Sequence, residues 1–140
     1  MDLAHAAVAS FIERFERGGV TTAEWTHQAH LVAGYWYVTR LGPEQAIEVM
    51  RARIRSHNES VGTANTDSSG YHESITRLYV HGIAAFTAQQ PAANFEDGLN
   101  ALLASPMNSS SWPLQFYSRE RLFSVEARRG WVEPDLQPCR

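Results

Sequence analysis

The chain has 140 residues and a formal net charge of −3, from 12 Lys and Arg set against 15 Asp and Glu. An apolar fraction of 44% with 19% charged residues excludes wholesale disorder and predicts one globular domain, 1–140. The acidic balance offers no general attraction to phosphate backbones, and no apolar run approaches the roughly 20 residues that cross a bilayer. Nucleic acid and membrane are therefore not expected as partners. Asp2 stands where a signal peptide carries a basic leader, and Glu13, Arg14, Glu16 and Arg17 follow soon after, so a cytoplasmic protein is expected. Cys139, the only cysteine, can form neither an internal disulfide nor a thiolate cluster.

In chain order the pattern is helical. Leu3, Ala7, Val8, Phe11, Ile12 and Phe15 form the stripe of an amphipathic helix over residues 2–17, stopped by Gly18 and Gly19. A second helix is predicted from Thr21 or Thr22 to about Arg40. The Leu41-Gly42-Pro43 turn leads into a third through Ala46, Ile47, Met50 and Ile54, with Arg51, Arg53 and Arg55 on its outer face. Residues 60–70 are polar and aperiodic, long for a connection within a helical domain. A fourth helix is expected from near Tyr71 to Gln89, a short fifth over Phe95–Leu103, and a last one from about Ser118 to Arg129. The expected class is all-α, resembling a four-helix bundle with a long, partly irregular C-terminal segment.

Six histidines are present, and their placement matters more than their number. His27 and His30, three apart on the predicted second helix, share a face and can converge on one ion. Glu24 precedes His27 by three, the carboxylate–histidine spacing of di-metal bundles. Thr21 to Glu24 also fits a capping box, which would make Glu24 a cap partner only. Gly34 continues the histidine face and suggests a close approach by another helix or a ligand. Tyr71-His72-Glu73 opens the predicted fourth helix, where the helix dipole favours the neutral, ligating imidazole at His72. Glu73 has a capping alternative there. Thr76, Tyr79 and Ile83 are expected on the face of His72. His5 and His57 are expected as ordinary surface histidines, and His81, half a turn away from His72, as outward or packed elsewhere.

His27, His30 and His72 are thus the candidate ligands of a divalent transition metal, Zn, Fe, Mn, Ni or Cu, with Glu73 or Glu24 as extra ligand or general base. Arg119 and Arg121 are candidates for holding an anionic small-molecule substrate, unless they pair with neighbouring glutamates such as Glu120 and Glu126. Tyr71 and Thr76 complete the candidate substrate contacts. No glycine-rich phosphate loop, nucleophile elbow or Cys-x-x-Cys motif is present.

Three segments carry a resemblance. Trp25-Thr26-His27-Gln28-Ala29-His30-Leu31, Gly70-Tyr71-His72-Glu73-Ser74-Ile75-Thr76 and Tyr117-Ser118-Arg119-Glu120-Arg121-Leu122 resemble the ordered motifs of a family of small, mostly uncharacterised bacterial helical proteins. Ser74 departs from that pattern, which has threonine there. The resemblance implies that the two histidine segments belong to one unit and points to no particular substrate.

A metal-dependent enzyme acting on a small molecule is the leading expectation, hydrolytic or eliminating with zinc and oxidative with iron or copper. A non-catalytic metal, ligand or protein-binding module is the alternative, and a buried hydrogen-bonded histidine network the third. Trp112 and Trp131 suit an interaction surface, and the size suits a monomer or a homodimer.

Overall fold

The computed structural model describes residues 1–139, and every regular element among them is helical. Helix α1 (His5–Glu16) buries Val8, Phe11, Ile12 and Phe15, the stripe read in the sequence. Helix α2 (His27–Leu41) is buried on all sides from Leu31 to Val38, as befits a central helix. Gly42, at φ 84°, turns the chain sharply into α3 (Pro43–Ser60), with Pro43 in the first turn. Helices α2, α3 and α4 (Glu73–Gln89) pack on one another, α1 lies on α3, and α5 (Phe95–Leu103) covers α2 and α4.

The C-terminal segment follows as a 3-10 turn, Trp112–Gln115, and two short helices, α6 (Arg119–Leu122) and α7 (Val125–Arg129). Where one helix was expected over 118–129 there are two, because Ser124 caps the second by accepting from Ala127 N–H. This segment packs on α4 around Leu78, Tyr117 and Leu122. The Tyr117 hydroxyl donates to Val132 O at 2.6 Å, and Ser118 binds Asp135 through both its hydroxyl and its N–H.

Two helix starts differ from expectation. The hydrogen bonds of the predicted capping box do form, Glu24 N–H to Thr21 Oγ1 and Thr21 N–H to Glu24 Oε1, but they close a separate turn. Thr26, extended at ψ 172°, then caps α2 by accepting from Ala29 N–H. Glu24 therefore lies outside α2, and the Glu24–His27 helical spacing does not hold. At α4 the cap is His72, not the Gly70 that a helix beginning at Tyr71 would use: the His72 Nδ1 accepts from Ile75 N–H at 3.2 Å. Gly70 has a different task. At φ 79° it folds the 61–72 loop so tightly that a Cβ there would meet Ala64 O at 2.5 Å. Asn65 ties the same loop together, accepting from both Asn58 and Tyr71 N–H.

Candidate functional site

Gly34 lets α2 and α4 approach closely; a Cβ at that position would lie 2.8 Å from Ile83 Cδ1. Beside this crossing α2, α3 and α4 enclose a cavity of about 340 Å³. Leu31, Met50, Ile54, Ile75, Val80 and Ile83 make most of its wall. The polar exceptions are His27 and His30 from α2, Thr76 and Tyr79 from α4, and Ser110. Thr76, Tyr79 and Ile83 of the predicted face thus line this cavity, but His72, expected on the same face, does not. An apolar chamber with a few polar groups is the usual form of a small-molecule site.

The hydrogen bonds fix both imidazole tautomers. His30 Nδ1 lies 2.7 Å from Thr26 O, and a carbonyl can only accept, so the neutral ring carries its proton on Nδ1. Nε2 is left as its free lone pair. His27 is the reverse: Nε2 lies 2.9 Å from Met107 O and takes the proton, leaving Nδ1 free. Burial pushes the pKa of His30 down to about 4, against the opposing pull of Thr26 O, with His27 and His57 adding to the depression. His30 is neutral at physiological pH.

Trp25 lies between His30 and His57. Its ring centroid lies 3.9 Å from that of His30 and 5.2 Å from that of His57. His57 is not the surface residue expected: it is 2% exposed, its pKa is lowered by burial, and its Nδ1 has no hydrogen-bond partner among the described residues. The signal for its burial was in the sequence, since Met50, Ile54 and His57 continue the apolar stripe of α3 at helical spacing.

His72 is held apart from His27 and His30. It is buried, with Nδ1 engaged by Ile75 N–H and Nε2 donating to Leu122 O at 2.6 Å, so neither nitrogen is left for a ligand. Burial lowers its pKa, against the raising effect of the Leu122 carbonyl. Glu73 is gripped by Arg51 at 2.8 and 2.7 Å and receives the Tyr71 hydroxyl at 2.8 Å. Burial alone would raise its pKa, but Arg51 and Tyr71 outweigh that and hold the carboxyl below its ordinary value. Glu24 pairs with Arg14 at 2.7 Å, which with Thr21 lowers its pKa to about 2.

Tyr71 itself is buried beside Glu73 and does not line the cavity. Arg119 is exposed, and Arg121 Nε donates to the Glu133 carbonyl. Of the candidate site residues, the structure brings His27, His30 and Thr76 into one cavity. It does not bring Glu24, Tyr71, His72, Glu73, Arg119 or Arg121 there.

A metal held by all three histidines does not fit this donor set, because His72 has both nitrogens committed to the main chain. Among the described residues no group of three or more His, Cys, Asp or Glu side chains is placed to hold one ion. Two imidazole lone pairs, His27 Nδ1 and His30 Nε2, remain available. The described helices include none long and apolar enough to cross a membrane. Comparison with protein-family models, with curated proteins and with solved structures gave no match.

Proposed function

We propose that the α2–α4 cavity binds a small molecule with an apolar body and one hydrogen-bond donor, such as an alcohol, phenol or amide. The observation that carries this reading is the Nδ1–H bond of His30 to Thr26 O, which leaves a neutral Nε2 lone pair in a wall built mostly of aliphatic side chains. A donor on the ligand pairs with that nitrogen, and the apolar body displaces water from Leu31, Ile54 and Ile83. With a pKa of about 4 the imidazole is a constant acceptor and a weak base. Binding is better supported than proton abstraction from an unactivated substrate.

A metal-dependent enzyme is the second reading, favoured by the ring nitrogens of His27 and His30 that the main chain leaves unbonded, Nδ1 and Nε2. A divalent transition metal on these two imidazoles would supply Lewis-acid or redox chemistry to the same chamber. The chain's own contribution is then to fix the two tautomers through Met107 O and Thr26 O, and to keep the chamber apolar.

Ligand-observed NMR with a set of phenols and aliphatic alcohols beside their O-methyl ethers separates donor recognition from simple apolar filling. The expected result is binding of the hydroxyl compounds, roughly tenfold or more weaker for the ethers, and loss of the preference in His30→Phe. Equal binding of alcohols and ethers, or none of either, contradicts the proposal.

A further inference from the structure

The C-terminal residues that lean on α4 enclose a second cavity of about 430 Å³, which shares no lining residue with the first. Leu78, Gly82 and Ala85, one stripe of α4, form its floor. Arg77 and Glu133 also line it, and no ion pair joins them among the described residues. Trp131 accounts for their separation. Its indole N–H donates to Glu133 Oε2, while its ring faces the Arg77 guanidinium, with Cζ 6.0 Å from the centroid.

Arg77 is under-used where it sits. Its contact with Glu73 Oε2, at 3.8 Å, is too long for a hydrogen bond, and Glu73 is already satisfied by Arg51 and Tyr71. Its Nε–H is buried with no partner among the described residues. That nitrogen has no open surface, but the Arg77 side chain as a whole is 38% exposed, so the rest of the guanidinium can meet a ligand. The neighbouring Glu133 carboxylate is held away by the indole, on the wall of the same chamber.

We propose that this cavity binds a free α-amino acid with an apolar side chain. Its carboxylate pairs with the Arg77 guanidinium, its ammonium with the Glu133 carboxylate, and its side chain lies on Leu78, Gly82 and Ala85. A guanidinium fork matches a carboxylate, and a cation and an anion held apart in one partly enclosed site match a zwitterion. Selectivity follows, because an analogue lacking either charge forgoes one of the two ion pairs.

The Trp131 indole N–H resonance of the full chain reports on the site directly. L-leucine is titrated beside 4-methylpentanoate, which lacks the ammonium, and 3-methylbutylamine, which lacks the carboxylate. Expected are a saturable shift with L-leucine, roughly tenfold or more weaker binding of each analogue, and loss of the response in Glu133→Gln and in Arg77→Lys. Glu133 is exposed, so the first variant leaves the fold intact even if the second perturbs Glu73. No saturable shift with L-leucine, equal binding of 4-methylpentanoate, or a response that survives Glu133→Gln overturns the proposal.

Discussion

Arg51 holds both carboxylate oxygens of Glu73, Nε to Oε1 at 2.8 Å and Nη2 to Oε2 at 2.7 Å, and so ties α3 to the first residue of α4. Glu73 is 7% exposed at its side chain and Arg51 39%, so the carboxylate carries most of the desolvation. Removing Arg51 leaves that carboxylate, among the described residues, with only the Tyr71 hydroxyl and a distant Arg77. Arg51→Met should cost about 2–4 kcal/mol, less than a fully buried pair because Arg51 is partly solvated. Arg51→Met combined with Glu73→Leu should cost less than the sum of the single variants, measured by urea unfolding. Strict additivity contradicts a direct pairing.

His72 acts here as a cap and a strut, accepting from Ile75 N–H and donating to Leu122 O. His72→Asn preserves a capping acceptor and loses the Leu122 contact, whereas His72→Ala loses both. The expected order of stability is wild type, then Asn, then Ala, with a cap contributing about 1 kcal/mol. Neither variant should alter ligand or metal uptake at His30. Loss of such uptake in a folded His72→Asn protein would show that His72 belongs to the site.

Much of this was legible in the sequence, and the failures have physical causes. The stripes of α1 and α3 follow from apolar spacing, and α5 has the bounds expected of it, with Asn94 as a cap that was not read in advance. Gly34 and the Thr76–Tyr79–Ile83 face announced the cavity, because a helix crossing tight enough to need glycine leaves a mark in the sequence. The grouping of the histidines was not legible. His72 is turned toward Leu122, a main-chain carbonyl 50 residues away that carries no side-chain signature. The Thr21–Glu24 hydrogen bonds formed as read, yet such bonds serve an isolated turn as well as a helix start, and so Glu24 was placed one element too late.

Stability should fall on acidification from neutral pH. His30, His57 and His72 all have folded-state pKa values lowered by burial from 6.5. Below 6.5 the unfolded chain binds protons that the folded chain refuses, so unfolding is favoured as pH falls toward the folded values. For His30, lowered to about 4, the shift corresponds to at most ~3 kcal/mol lost across that window, since the ring is only partly buried. His57→Leu removes one titrating group from among Phe15 and Trp25 and should flatten the decline in a pH series of urea unfolding. An unchanged profile between neutrality and pH 4 contradicts the burial of these rings.

Gly34→Ala sets two effects against each other. Alanine favours the helix by about 1 kcal/mol, while its methyl meets Ile83 Cδ1, the mobile end of that side chain, at 2.8 Å. Ile83 should swing into the cavity it lines, leaving stability within about 1 kcal/mol of wild type but weakening ligand binding. Gly34→Ala with Ile83→Val should restore binding. If the single variant binds the hydroxyl compounds as wild type does, the ligand lies elsewhere.

The most direct measurement of the central claim is a long-range proton–nitrogen spectrum of the histidine side chains at neutral pH, recorded with and without a hydroxyl ligand or Zn. The account predicts His30 as the Nδ1–H tautomer and His27 and His72 as Nε2–H. On addition the His30 Nε2 resonance should move, and the two His72 nitrogens should stay still. A charged His30 at neutral pH, or His72 nitrogens that shift together with those of His27 and His30, would contradict it and place all three imidazoles around one site.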